Sequence, residues 1–256
     1  MQIFNDGIVV SDICGGLGNA MFMYIVGKSV ANRYNMEFKY DISEPRKDYL
    51  EWYKQFWFLT KEEKFQLEPT NFFKIYENQI RNVLIDFEKF LTHGHFDYWY
   101  LKGYWQNDDF FDAELCQKVF GITDDCKKRI LDKYGDFSDR VHVCVRRGDF
   151  IQLNWSMDFQ WYDNVLKKYF PGRKLVINSD DIEWCKDKFK QYDAIYIDNS
   201  DVVETMYAGT LCKDHVIADS SFAWWQAYLS DYNQVVCPDG WSAAVRKWKT
   251  EPKILG

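Results

Sequence analysis

The chain has 256 residues, of which 47% are hydrophobic and 19% aromatic, enough apolar material for one large core or two smaller ones, so a folded globular protein is expected. A net charge of -7 with no run of Lys or Arg argues against binding along a nucleic-acid backbone, which needs a basic stripe, so an anionic ligand has to be held locally. Seven single cysteines without a C-x-x-C pair fit reduced thiols in a cytoplasmic protein better than a disulfide framework, and their spacing gives no support to a metal site. No basic leader precedes an apolar stretch at Met1, and no apolar run reaches bilayer length; the expectation is no transmembrane segment, with peripheral membrane contact still compatible.

Ile8 to Ile13 reads as a short apolar strand that runs into Cys14-Gly-Gly-Leu-Gly-Asn19, followed by a mostly buried helix from Ala20 to Tyr34. Glycines here let backbone N–H groups approach an anion at a helix start, making Gly16, Gly18 and Asn19 candidate contacts. The alternative is a tight turn with Asn19 as the helix cap. The spacing is neither a Walker loop nor the full dinucleotide fingerprint. Met36 to Ile42 reads as a second strand. Ser43 to Pro69 is an aromatic insertion, either a local core or a sugar platform. Asn71 to Leu91 carries apolar residues near helical spacing and predicts a helix. Phe96 to Trp105 is strand-like, and Phe110 to Phe120 and Asp124 to Tyr134 predict two helices.

The polar segment Gly135-Asp-Phe-Ser-Asp139 is the expected linker, dividing the chain into residues 1–138 and 139–256. Beyond it, Arg140 to Val145 alternates apolar and polar residues as a strand and ends in Arg146-Arg-Gly-Asp149. Adjacent strand residues point to opposite faces, so one arginine can meet a ligand while the other braces the backbone. Gly148 is expected to permit a sharp turn that brings Asp149 back over the strand end. Strands near 174–178, 194–197, 215–218 and 235–237 then alternate with helices near 158–169, 181–189, 202–211 and 221–229. This pattern predicts a parallel sheet with helices on both faces and a ligand site at the strand C-termini.

Three polar clusters fall at those ends: Arg146-Arg-Gly-Asp149, Asn178-Ser-Asp-Asp181 and Asp219-Ser-Ser-Phe222. Guanidinium forks and hydroxyls at a helix start suit a nucleoside diphosphate. Each also has a plainer reading. The arginines pair with nearby aspartates; Asp180, Asp181, Ser220 and Ser221 cap helices; Trp224 and Trp225 pack. Glu204, at a helix start, either answers the helix dipole or accepts from two N–H groups of guanine. His142 and His215 lie within strands, where a buried, hydrogen-bonded histidine is the default.

In this order, Cys14-Gly-Gly-Leu-Gly-Asn19, Gly103-Tyr-Trp-Gln106 with Phe110-Phe111, Val145-Arg-Arg-Gly-Asp-Phe150, Ser179-Asp-Asp181 and Ala218-Asp-Ser-Ser-Phe-Ala-Trp-Trp225 resemble glycosyltransferase family 11, the GDP-fucose-dependent alpha-1,2-fucosyltransferases. The resemblance implies a GT-B-like α/β fold, with two Rossmann-like halves facing a cleft and the nucleotide in the C-terminal half. It also implies an inverting, metal-independent transfer to a glycan acceptor, with no cofactor beyond the donor. Arg146 matches the arginine that neutralises the leaving diphosphate. Asn19 would lie near the fucose or diphosphate, and Ser220, Ser221 and Phe222 would line the phosphate pocket, with Gly16, Gly18, Arg147, Ser179, Asp180, Asp181 and Glu204 completing the donor set. Asp149 is the first candidate for general base and Asp158 the second. The chain departs from the family at Cys144, where relatives carry His, at Ala20, where they carry Gln, and at Asp219, where they carry Asn. A transferase for a different nucleotide sugar would accommodate these departures, and a non-catalytic glycan- or nucleotide-binding protein of the same fold is the third reading.

Overall fold

A computed structural model describes residues 7–42, 57–65, 71–79, 82–94, 96–197, 199–240 and 248–256. Most of the aromatic insertion at Ser43 to Pro69 therefore lies outside the described residues. Two compact units divide the chain between Gly121 and Ile122.

The first unit is built on β1 (Ile8–Asp12), α1 (Leu17–Tyr34), β2 (Glu37–Asp41), β3 (Phe72–Tyr76), α2 (Val83–Leu91), β4 (Tyr98–Lys102) and α3 (Ala113–Phe120). Its four strands lie in the order β2-β1-β4-β3, all parallel. The alternating strand residues Val9, Ser11, Phe38 and Trp99 turn to the helical side. Ser11 Oγ donates to the Met23 carbonyl there at 2.7 Å, and Phe87 of α2 stands edge-on to Trp99 with ring centroids 5.5 Å apart.

The helix expected over Asn71 to Leu91 is instead a strand, a 3-10 turn at Glu77–Gln79 and α2. In β3 the burial alternates, Ile75 inward and Phe72, Lys74 and Tyr76 outward, so period-two packing against β4 outweighs the helix-like spacing. Asn82 then starts α2 by accepting from Leu84 N at 3.0 Å and Ile85 N at 3.3 Å.

The second unit contains α4 (Asp124–Tyr134), β5 (Arg140–Val145), α5 (Gly148–Gln152), α6 (Phe159–Tyr169), β6 (Lys174–Ser179), α7 (Ile182–Lys188), β7 (Ala194–Tyr196), α8 (Val202–Thr210), β8 (Asp214–Ile217), α9 (Ser221–Tyr228), β9 (Gln234–Pro238) and β10 (Lys249–Glu251). The unit begins upstream of the expected linker at Gly135 to Asp139, because α4 packs on α8 and the Lys133 ammonium at its end pairs with Glu204 of α8 at 2.6 Å.

Its six parallel strands run β10-β9-β8-β5-β6-β7. Val141, Val143 and Val145 of β5 pack with Trp161, Tyr162 and Val165 of α6 and with Cys185 of α7. On the opposite face Cys144 joins Ala223 and Ala227 of α9, so helices cover both sides as the alternation predicts. From β5 the chain winds outward through β6 and β7, then returns to the other side of β5 with β8. The order therefore reverses between β5 and β8, and such a reversal opens a crevice at the strand C-termini.

Candidate active site

β5 delivers two arginines to this reversal and the structure uses them differently. Arg147 is a brace: its Nε donates to Asp181 at 3.0 Å, its guanidinium lies 4.1 Å from the centre of the Trp184 ring, and its side chain is only 17% exposed. Its backbone N–H donates to Asp180 Oδ1 at 2.8 Å, tying the ends of β5 and β6 together. Arg146 points the other way, as strand alternation requires, and stays 35% exposed between Asp180 at 2.7 Å and Asp149 at 2.9 Å. The Asp149 carboxylate is 60% exposed, so its pair with Arg146 is a weak, exchangeable one. Both arginines are thus paired with aspartates, as their plainer reading has it, and only Arg146 keeps a face toward solvent.

Gly148 has a different task from the one expected. It opens the one-turn helix α5 rather than a sharp turn, and a Cβ there would stand 2.6 Å from Asp180 Oδ2, so any side chain would push that carboxylate out of its place beside Arg146. Asp181 caps α7 through Trp184 N at 3.3 Å, and Ser179 Oγ accepts from Asp181 N at 2.9 Å. Capping therefore accounts for Asp181, while Asp180 orients Arg146. Asp158, the second candidate base, caps α6 through Gln160 N at 2.8 Å. Glu204 sits apart from this network: it accepts from Lys133 at 2.6 Å and from the Tyr134 hydroxyl at 3.1 Å, which holds its carboxylate in the α4–α8 contact.

On the other side of the reversal, the Ala218 N–H donates to the Cys144 carbonyl at 3.2 Å and carries β8 to Asp219, Ser220 and Ser221. Ser220 stands at the N-cap of α9, yet its side chain makes no capping hydrogen bond. The capping role expected of Ser220 is therefore absent, and the first-turn N–H groups of α9 receive no hydrogen bond from it. Trp224 and Trp225 are buried packing residues, as expected. Asp219 is ion-paired with the Lys253 ammonium. Burial raises the Asp219 pKa, while Lys253 opposes that shift. Nothing in the local sequence points to Lys253, which lies 34 residues downstream.

Beneath these strand ends runs a buried polar chain that crosses three strands. His142 Nε2 lies 2.6 Å from Asn178 Oδ1, His142 Nδ1 lies 3.1 Å from His215 Nδ1, and His215 Nε2 lies 2.9 Å from Ser230 Oγ. With neutral rings, His142 Nε2 donates to Asn178 and His215 Nδ1 to His142, which leaves His215 Nε2 as acceptor for the Ser230 hydroxyl, shared with the Ala227 carbonyl at 2.7 Å. Burial pushes the His142 pKa down to about 4 and that of His215 well below its usual value. The Asn178 amide also donates to Cys144 Sγ at 3.5 Å, and burial pushes that thiol up to about 12, which leaves it inert. The two histidines are thus the buried, hydrogen-bonded kind that their strand positions predict.

In the first unit the strand order also reverses, between β1 and β4. The glycine loop leaves β1 there, with Gly15 at φ +77°, a conformation that favours glycine. α1 starts three residues earlier than expected, at Leu17 with Gly16 as N-cap and no side-chain cap, so Gly18 and Asn19 lie in its first turn. Asn19 is therefore not the cap; its Oδ1 accepts from Gln106 Nε2 at 2.8 Å, linking the loop to the segment after β4.

Solved structures share this fold. Fucosyltransferase NodZ from Bradyrhizobium matches with a TM-score of 0.58 and 12% identity, covering 94% of this chain and 97% of that one. Arabidopsis thaliana FUT1 gives a TM-score of 0.51 and 14% identity over 91% of this chain and 71% of that one. Two α/β units, each built on a parallel sheet, are the GT-B architecture that these solved structures share. The chain belongs to glycosyl transferase family 11, whose model matches residues 15–253. Among curated relatives, an alpha-1,2-colitosyltransferase from Escherichia coli is 28% identical over 281 residues, covering 91% of this chain and 92% of its own length. The O-antigen biosynthesis glycosyltransferase WbnK from Escherichia coli is 28% identical over 120 residues, 41% of this chain and 40% of its own. No helix among the described residues is long and apolar enough to cross a membrane.

Proposed function

We propose that the enzyme transfers fucose from GDP-fucose to a hydroxyl of a glycan acceptor with inversion, giving an alpha-1,2 linkage. The observation that carries this reading is the occupation of the β5/β8 reversal: Arg146 on one side and the uncapped, serine-lined start of α9 on the other. Both are donors suited to a diphosphate, the guanidinium by charge and fork geometry, the helix start by its N–H groups and dipole. Solved relatives of the fold include NodZ crystallised with GDP and soaked with GDP-fucose, which supports a guanosine diphosphate as the ligand class.

In the proposed step the acceptor oxygen attacks the anomeric carbon as the bond to the diphosphate oxygen breaks, and GDP leaves with the bonding pair. The acceptor proton passes to a general base, for which Asp149 is the candidate on the strand-end motif. Negative charge grows on the diphosphate, and Arg146 stabilises it by preorganised charge, so the reaction is metal-independent in this proposal. Asp149 must release Arg146 as the diphosphate arrives, and the exposure of that pair makes the exchange cheap. Ser220, Ser221 and Phe222 are assigned to the phosphate pocket. Single cysteines accord with a cytoplasmic location.

A second donor is favoured by one finding: the relative aligned along nine-tenths of the chain transfers colitose, a sugar that lacks the 3-hydroxyl of fucose. Thermal unfolding with GDP, UDP and the two GDP-sugars separates these readings. A ligand at a hundredfold its dissociation constant adds about 2.7 kcal/mol. Stabilisation by GDP with turnover of GDP-fucose supports the first reading, turnover of GDP-colitose alone supports the second, and preference for UDP overturns both.

A further inference from the structure

Asp219 poses a problem for any anion site at the start of α9. Its carboxylate follows β8 directly and precedes the two serines, the place where helix dipole and N–H groups would draw in a phosphate. One carboxylate oxygen, Oδ1, is buried with no hydrogen-bond partner, so the group is poorly solvated and its charge poorly screened. An uncompensated carboxylate there would oppose the ligand that the rest of the crevice attracts.

The fold answers with a lysine brought from far along the chain. After β10, the segment that carries Lys253 is fixed on both sides. Lys253 N–H donates to Asp239 Oδ1 at 3.3 Å, and Asp239 N–H donates to the Glu251 carbonyl at 2.9 Å. Asp158 N–H then donates to the Ile254 carbonyl at 2.8 Å, and Leu255 bridges Met157. This strap ties the end of β9 to the segment between α5 and α6 and sets the Lys253 ammonium on Asp219.

Building on the nucleotide-sugar reading above, we infer that Lys253 is a positioning residue of the donor site: it is the counter-ion that cancels Asp219 at the start of α9, so that a nucleoside diphosphate meets no net carboxylate there. The charged and titratable groups that face Asp219 among the described residues are Lys253, Asp239 and the Cys237 thiol. Lys253 alone among them is cationic. Once it is removed, Asp219 faces only burial and Asp239, both of which favour its protonated form.

The test is a GDP titration by calorimetry on the full chain, for wild type, Lys253→Met, Asp219→Asn and the double variant, at about pH 8, well above the ordinary carboxylate range, with melting temperatures recorded alongside. Lys253→Met is expected to bind GDP about tenfold more weakly, roughly 1.4 kcal/mol. The double variant should return to within about twofold of wild type. Asp219→Asn alone should bind as well as wild type or better, and this variant keeps the test open should Lys253→Met fail to fold. A double variant as weak as Lys253→Met, a Lys253→Met that binds like wild type, or an Asp219→Asn that loses affinity tenfold overturns the counter-ion role while leaving the nucleotide-sugar reading intact. Wild-type protein that binds no nucleotide overturns that reading and this inference with it.

Discussion

Most helices of the described residues begin on a side chain that satisfies their first N–H groups: Asn82 for α2, Asp112 for α3, Thr123 for α4, Asp158 for α6, Asp181 for α7 and Asp201 for α8. α1, α5 and α9 do not, although the residue at the α9 cap is a serine able to do so. All three open helices start where their own sheet's strand order reverses, α1 after β1, α5 after β5 and α9 after β8. The adjacent arginines repeat the distinction on a smaller scale, with Arg147 consumed by Asp181 and Trp184 and Arg146 held by Asp180 and by an exchangeable Asp149. Polar groups that the fold has used and polar groups that it has left open lie within a few residues of one another, and their hydrogen bonds tell them apart.

The sharpest way to break this comparison is chemical. Arg146→Ala should lower donor turnover by about a hundredfold to a thousandfold, the usual loss when a preorganised charge stabiliser of the transition state is removed, with little change in melting temperature. Turnover within about threefold of wild type, read by GDP release, would place the leaving-group charge elsewhere.

A smaller effect sharpens the structural half. His142 and His215 are buried and neutral, and burial holds their pKa values below that of an unfolded histidine, His142 at about 4. The unfolded chain therefore binds protons that the native chain refuses once the pH falls below about 6.5. Their contribution to stability is complete above that pH and is lost as the pH falls toward the native values, on the order of 1.4 kcal/mol per pH unit for each ring. Urea unfolding between about pH 7 and pH 5 should show this slope, and replacing both rings with uncharged residues that preserve the fold should flatten it.

The smallest effects set a used cap against an open one. Asp201 accepts from Val203 N at 2.8 Å and from Glu204 N at 3.0 Å, so Asp201→Ala should cost about 1 kcal/mol of stability. Ser220→Ala removes a hydroxyl without a capping bond and should leave stability within about 0.5 kcal/mol while weakening donor binding several-fold. A Ser220→Ala variant that loses as much stability as Asp201→Ala would show that the α9 start is structural after all.

Much of the second unit is legible in the chain because its strands are short apolar runs with polar ends and its helices have acidic caps; Asp158, Asp181 and Asp201 each stand where a helix begins. The first unit is harder to read around β3, where Phe72 and Ile75 have a helical spacing yet stand on opposite faces of a strand, and only the neighbouring β4 decides. Long-range ion pairs leave no local trace. Nothing near Asp219 announces Lys253, and nothing near Gly148 announces Asp180, whose carboxylate a side chain there would displace. The candidate positions are legible as strand ends, while only the hydrogen bonds separate bracing groups from open ones.

That division is tested most directly by titrating GDP into Arg146→Ala and Arg147→Ala side by side, with a melting curve for each. Arg146→Ala should keep the wild-type melting temperature and lose GDP affinity by about tenfold or more, whereas Arg147→Ala should melt earlier by several degrees and lose less affinity. The opposite pattern, with GDP binding abolished in a stable Arg147→Ala and retained in Arg146→Ala, would contradict the assignment of Arg146 as the diphosphate clamp.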